Sequence, residues 1–419
     1  MEVKKQNSIC YITTNGIGNA WVAAELRIVK EAGAEVDLYS MRKPHQSFFS
    51  SGWANQINEE TISIYPLPLV SFIASIVVSP FLFKGRFFSA FFNSLFSPRE
   101  NLRARIAGIA HLFVACHWAR KIRLKNYRLI HSQWIQSGGT IGFYASWLLD
   151  IPFSFTGHAV DLFRERCALK DKIKRADFIV AISEFHRQFY INEGADPDKI
   201  HIVYCGIDLS EYAYQYARSG NPFKILSFGR LVEKKGFSTL IHACSLLRDQ
   251  GKEFHCEIAG SGPEYQALID LVSDLNLGQF VTVTGQPLKQ EEIESWMSQG
   301  DVFAQPCCWS KDNDIDGIPR SLMEAMAVGL PSISTKVAGI PDLIEHMKSG
   351  LLIDEHDSKA LSNAIASLQE NWSLREDISK SGRRMIEDRF NLESCLDPLV
   401  ELFEDRISYK NGLEKGHAG

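Results

Sequence analysis

In the stretch DNDIDGIPRSLMEAMAVGLPSIST (312–335), two carboxylates, Asp316 and Glu324, accompany a Gly-x-Pro turn. Pro319 suits the first turn of a helix, since its fixed φ is already helical and its missing N–H would have no partner there. The helix RSLMEAMAV is expected to stop at Gly329 and Pro331. Its N-terminus would present free N–H groups, a ready site for an anion. Gly317, Ile318, Pro319, Ser321 and Leu322 surround that turn and are the expected ligand contacts. With Asp316 on the loop and Glu324 inside the helix, one carboxylate can reach the sugar end of a ligand while the other hydrogen-bonds ribose hydroxyls. A solvated acidic loop or a surface glutamate would explain either residue alone, and explains the pair poorly.

A second stretch, LSFGRLVEKKGFSTLI (226–241), ends a strand pattern at Gly229-Arg230 and sets Lys235-Gly236 before an apolar helix. Arg230 offers a guanidinium fork and Lys235 a point charge to a diphosphate. Positive charge at that point stabilises a leaving diphosphate electrostatically, with no metal required. IAGSGP (258–263) ends another strand with Gly260 and Gly262, which permit close backbone approach but are also ordinary turn chemistry. In the first half, TTNGIGNAW (13–21) places Gly16 and Gly18 at a helix start. FTGHAVDLF (155–163) places His158 and Asp161 after a strand, where Asp161 can either polarise the histidine or cap the following helix.

Three other readings fail on residue detail. Asp312-x-Asp314-x-Asp316-Gly317 imitates the start of an EF-hand, but the glutamate such a loop needs at its last position is Met323 here. The same Asp-x-Asp pairs resemble metal-dependent transferases of a different fold, which the alternating pattern described below disfavours. A nicotinamide dinucleotide is disfavoured because Gly16-x-Gly18 lacks the third glycine, and YSMRKPH supplies no acid after the second strand. No metal site is expected.

The elements that must position these residues alternate through the chain. Strand patterns fall at 8–14, 35–40, 127–133, 152–157, 177–183 and 199–205, then at 223–229, 254–260, 280–285, 301–306, 330–335 and 350–354. Helical patterns separate most of them, which implies α/β architecture with doubly wound parallel sheets. DLSEYAYQYARSGNP (208–222) breaks the rhythm and reads as a linker. Expected bounds are an N-terminal domain at 1–210, a second domain at 211–385, and a C-terminal helix and tail at 386–419 that returns toward the first domain. Ligands of such sheets sit beyond the carboxyl ends of the strands.

With 45% hydrophobic and 23% charged residues the 419-residue chain can bury ordinary cores. A net charge of −5 gives no global electrostatic case for nucleic acid. Nine cysteines without framework or metal-ligand spacing read as reduced thiols, and the polar start carries no secretory signal, so a cytoplasmic location is expected. Residues 66–97, PLPLVSFIASIVVSPFLFKGRFFSAFFNSLFS, depart from this plainness. The segment reads either as a buried helix-turn-helix or as a greasy face meeting the inner surface of the plasma membrane or a lipid-linked acceptor, with Lys84 and Arg86 at the headgroups. Each half is too short to span a bilayer.

Taken together, Asp316-Gly-Ile-Pro, Glu324-Ala-Met-Ala, Gly329-x-Pro331 and Ala338-Gly-Ile-Pro-Asp342 resemble glycosyltransferase family 4, retaining enzymes of the GT-B fold. The resemblance runs from the first glycine loop to about Phe390. Its paired acidic motif opens here on Asp316 rather than the commoner glutamate. The resemblance implies two Rossmann-like domains facing across a cleft, residues 1–210 on the acceptor side and 211–385 binding the nucleotide sugar, with His158 touching the donor sugar and Asp161 at the family's His-Ala-x-Asp spacing. It also implies that Arg230 and Lys235 hold the diphosphate, Glu324 holds the ribose, and transfer proceeds with retention from a UDP- or GDP-sugar to a glycan or lipid-linked acceptor. No cofactor beyond the donor is implied. Ile-Ser-Glu (182–184) and Cys-Gly-Ile-Asp (205–208) resemble members that build bacterial exopolysaccharide. The alternatives are a sugar-nucleotide epimerase on the same fold and a non-catalytic partner subunit.

Overall fold

The computed structural model describes residues 8–17, 20–42, 52–164, 166–215 and 222–413. Gly18 and the end of the expected linker lie outside the described residues. The chain divides into two compact units. One comprises Met1–Ile182, Arg187–Tyr204 and Leu396–Gly419, and the other comprises Ser183–His186 and Cys205–Cys395.

The first unit holds seven parallel strands: β1 (Ser8–Thr13), β2 (Glu35–Ser40), β3 (Ile62–Ser63), β4 (Leu129–Gln133), β5 (Phe153–Thr156), β6 (Phe178–Ala181) and β7 (Ile200–Ile202). Their order is β3-β2-β1-β4-β5-β6-β7. Ile12 of β1 pairs with Tyr39 on one side and Ser132 on the other, so the connection order reverses between β1 and β4. β4, β5 and β6 are buried along their whole length, as a parallel sheet covered on both faces requires. β3 is the one strand of this sheet that the sequence pattern does not mark. Its two residues are too short for any periodicity to show.

The second unit holds six parallel strands: β8 (Phe223–Phe228), β9 (Phe254–Ala259), β10 (Val281–Val283), β11 (Val302–Ala304), β12 (Ser332–Thr335) and β13 (Leu351–Ile353). Their order is β10-β9-β8-β11-β12-β13, with the reversal between β8 and β11. A core of Ile225, Leu240, Ile258, Ile333 and Ile365 joins this sheet to its helices.

Residues 66–97 form two helices, Leu69–Phe83 and Gly85–Phe96, bent through 117° at Lys84. Ser75, Ser79, Phe83, Phe87, Ala90 and Ser94 are buried, while the opposite faces are exposed. The segment is thus a helix-turn-helix as one reading has it, with the greasy outer face of the other. Among the described residues no single helix is long and apolar enough to cross a membrane. The last helix, Leu392–Leu413, sets Phe403 against Phe178 and His131 of the first unit.

Candidate functional site

In an open parallel sheet the crevice where strand order reverses is the natural ligand site. In the second unit that crevice lies between the loops leaving β8 and β11. The β8 loop carries Gly229, Arg230 and Lys235, and the β11 loop carries Asp316. Gly236 closes the first loop at φ 69°, and a Cβ there would lie 1.8 Å from the Pro306 carbonyl oxygen, so only glycine lets the two loops meet this closely. Gly229 brings the Lys235 side chain over the backbone, since a Cβ on it would stand 3.2 Å from Lys235 Cε. Gly260, at the end of β9, has φ 154° and a Cβ position only 1.9 Å from the Gly229 carbonyl oxygen. Gly262 packs on the Leu231 backbone, where a Cβ would stand 2.4 Å from the Leu231 carbonyl oxygen.

This arrangement places Lys235 Nζ 2.7 Å from Asp316 Oδ2 and Lys234 Nζ 3.0 Å from Asp316 Oδ1. Lys234 also reaches Asp314 Oδ2 at 3.1 Å. Burial by itself raises the Asp316 carboxyl pKa, but the charges of Lys235 and Lys234 outweigh it and hold the group down at about 2. Burial likewise disfavours the Lys235 ammonium, and Asp316 more than restores it, so its pKa is raised. Lys234 and Asp314 are the partners that sequence reasoning misses. The doubled lysine at 234–235 is the only signal, and nothing in the sequence shows that Asp314 and Asp316 share one cation. Arg230 is exposed at the mouth of the same loop, and its charge acts on Lys235 to lower that pKa.

The helix Arg320–Val328 starts one residue after Pro319, which takes the N-cap position, and ends at Gly329 with φ 89°. Gly317 accepts a backbone hydrogen bond from Gly339 N at 2.9 Å, and a Cβ on Gly339 would stand 2.8 Å from Ile318 Cγ1, so the turn is braced by the loop after β12. Ser321 and Leu322 are buried under the turn. Ser321 Oγ donates to Gln305 Oε1 at 2.5 Å, and Gln305 Nε2 donates to the Phe228 carbonyl at 2.9 Å, tying helix, β11 and β8 together. Glu324 is 2% exposed. Its Oε1 accepts from Arg320 Nε at 2.8 Å and from Tyr212 OH at 2.9 Å, and Gln290 Nε2 donates to the same Tyr212 oxygen at 2.7 Å. Burial, with Glu324 beside it, raises the Tyr212 phenol pKa, so that group stays a neutral donor. Glu324 and Asp316 thus have separate sets of partners. Tyr212 and Arg320 were not singled out by sequence, although Arg320 lies one helical turn before Glu324.

His158 and Asp161 belong to the first unit, after β5 and next to its own reversal point. Gln133 Nε2 lies 3.3 Å from His158 Nε2, and Trp134 packs on the imidazole at 5.5 Å between ring centroids. Asp161 is buried, and its Oδ2 accepts from the backbone N–H of Ile135 at 3.0 Å and of His158 at 3.3 Å. These bonds join the loops after β4 and β5, and both amides lie outside the helical turn Val160–Arg164 that contains Asp161. Lys172, fully buried, braces the same loop by donating to the Ile135 and Cys167 carbonyls and to Thr140 Oγ1. Gly16 turns at φ 66° after β1, its N–H donating to Ser40 Oγ at 2.5 Å.

Comparison with known proteins follows this division. The family model for glycosyl transferases group 1 matches residues 210–385, and that for glycosyltransferase family 4 matches 26–211. The amylovoran biosynthesis glycosyltransferase AmsK of Erwinia amylovora is 34% identical over 230 residues, 54% of this chain and 56% of that protein. The chain spans little more than half the length of the first curated relatives it matches, 57% for two of them. Among solved structures, Anabaena HepE in complex with UDP superimposes with a TM-score of 0.69 at 16% identity, covering 95% of this chain and 100% of that one. A glycosyltransferase from Rickettsia africae gives 0.68 at 15% identity, covering 96% and 98%. With its two all-parallel sheets of order 3-2-1-4, the chain has the GT-B fold, its first part matching the model of glycosyltransferase family 4 and its second part that of glycosyl transferases group 1.

Proposed function

We propose that the protein transfers a sugar from a UDP- or GDP-sugar to a glycan or lipid-linked acceptor in polysaccharide synthesis, with retention at the anomeric carbon. The observation that carries this reading is the Lys235–Asp316 pair at the strand-order reversal of the second sheet, with Arg230 exposed beside it. A nucleotide diphosphate laid across the β8 and β11 loops meets the charges of Arg230 and Lys235. As the bond from anomeric carbon to diphosphate oxygen breaks, negative charge grows on that oxygen, and cations already in place stabilise it without reorganising. Asp316, kept ionised by its lysines, is an acceptor for sugar hydroxyls at neutral pH. Glu324 holds the ribose, its carboxylate oriented by Arg320 and Tyr212. His158 is assigned to the donor sugar, and retention rests on the family resemblance.

Two comparisons support the substrate class. AmsK carries a name in amylovoran biosynthesis, and the HepE structure holds UDP. Incubation of the purified protein with UDP- and GDP-sugars and a membrane extract as acceptor source tests the reading. Nuclear magnetic resonance of the glycosylated product would then report the anomeric configuration. Donor-dependent product with the donor's own configuration is expected. Donor consumed in the absence of any acceptor would favour the epimerase instead, and an inverted product would remove retention.

A further inference from the structure

We propose that the helix pair Leu69–Phe83 and Gly85–Phe96, with the first turn of the helix Leu102–Ile122, docks on an anionic lipid surface. The inference stands apart from the transferase reading, since it rests on a different part of the chain and is read by vesicle binding.

A helix on a water-soluble surface ordinarily turns its apolar stripe inward and its polar residues outward. Here the outward face is apolar as well. On the first helix Ser75 and Ser79 are buried, while Val70, Val77 and Phe81 are 84%, 62% and 78% exposed. These outward residues follow helical spacing, so they form one stripe and not scattered exceptions. The second helix repeats the pattern at four-residue intervals, with Ser94 buried and Phe88, Phe92 and Phe96 exposed. Leu102 and Ile106 continue it on the third. The buried serines are satisfied locally: Ser75 Oγ and Ser79 Oγ donate to the carbonyls four residues before them, and Ser94 Oγ to that of Phe91. The core side of the pair thus holds serines beside Phe83, Phe87 and Ala90, and a further apolar stripe faces outward. An outward apolar surface of this extent on a soluble protein marks an interaction site.

Charge selects lipid as the occupant. The chain as a whole carries −5, yet residues 61–149 contain ten Lys and Arg against a single acid, Glu100. Lys84 and Arg86 stand exposed at the bend, between Phe81 and Phe88, and Arg103 stands exposed between Leu102 and Ile106. Among the described residues Arg86 pairs with the exposed Asp150 carboxylate, 3.3 Å away. Cations set among outward aromatic and aliphatic side chains match an interface of anionic headgroups over acyl chains. Helices of 15 and 12 residues are shorter than the ~20 residues needed to span the hydrocarbon. They can lie in the interface with their outer stripes buried.

The test is co-sedimentation of the full chain with vesicles of phosphatidylcholine alone and of phosphatidylcholine mixed with phosphatidylglycerol. Two variants accompany it, one combining Val77→Ser, Phe81→Ser and Phe92→Ser, the other combining Lys84→Glu and Arg86→Glu. All of these side chains point outward, and circular dichroism confirms that each variant is folded. The expected result is binding to the anionic vesicles that weakens with salt and falls about tenfold or more in either variant. Three results would overturn the proposal. In the first, the folded protein binds neither vesicle. In a second it binds neutral vesicles as well and ignores the charge reversal. In a third it self-associates through this face, with the serine variant abolishing the oligomer and no vesicle bound.

Discussion

Lys235 and Asp316 meet at 2.7 Å because two loops that leave neighbouring parallel strands are brought to backbone contact by glycine at Gly236. Asp316 is thereby fixed as a carboxylate beside two ammonium groups rather than as a free acid. Its partner Lys235 gains a counter-ion that keeps it charged despite burial. The pair is a pre-formed electrostatic environment, and the following consequences can be measured.

Arg230 lies exposed at the mouth of the loop, so its removal leaves the fold intact. In the Arg230→Ala variant, kcat is expected to fall about 100-fold or more, the usual effect of losing one donor to a developing anion. Donor affinity should change far less. Steady-state kinetics with the active donor checks this, and unchanged turnover would remove Arg230 from the assigned role.

Asp314 and Asp316 share Lys234, at 3.1 and 3.0 Å. A cation is already supplied by the protein at the place where the Asp-x-Asp pattern would invite a metal. Activity is therefore expected to survive chelation with EDTA, and added manganese or magnesium should not raise it. A requirement for divalent metal in the transfer assay would contradict this.

Glu324 accepts from both Arg320 and Tyr212 in a buried site. Glu324→Ala leaves both donors unmatched and should destabilise the protein by about 2–3 kcal/mol, seen as a lowered Tm. Glu324→Gln keeps an acceptor for one donor and should remain folded while binding nucleotide at least about tenfold more weakly, the weight of a hydrogen bond to a charged group. Full nucleotide affinity in Glu324→Gln would remove the ribose role and leave only the structural one.

Glu25 sits inside the first unit, where burial raises its pKa to about 7, with the Tyr11 hydroxyl bond opposing in part. A carboxyl whose folded pKa is raised holds its proton more tightly when folded. Its contribution to stability is complete below the unfolded value of 4.5 and is lost as pH rises through about 7. Between those limits the loss should be about 3 kcal/mol. Denaturant unfolding of wild type and Glu25→Gln checks it: the variant's stability should vary less between pH 5 and 8, and parallel pH curves would contradict the assignment.

Much of the fold is legible in the sequence because a buried parallel strand writes its signature locally. EVDLYS coincides with β2, and the helix RSLMEAMAV stops at Gly329 as its composition requires. The alternating pattern puts Arg230, Lys235 and Asp316 on loops at the carboxyl ends of parallel strands, which is why they can be chosen before any coordinates. What stays hidden is pairing at long range. That Tyr212, in the supposed linker, would orient Glu324 depends on how the chain returns across the sheet. Nor does sequence reveal that Asp161 binds backbone amides from two loops, or which side of the 66–97 helices faces the core. The last was undecidable because an apolar stripe turned inward and one turned outward have the same spacing.

The most direct test is a calorimetric titration of UDP, GDP and ADP into the purified protein in EDTA, repeated with Lys235→Ala. The account predicts saturable binding of UDP or GDP, weakened about tenfold or more in the folded variant by the loss of one charge-assisted contact. Failure of every nucleoside diphosphate to bind folded wild-type protein, or equal binding to Lys235→Ala, would contradict it.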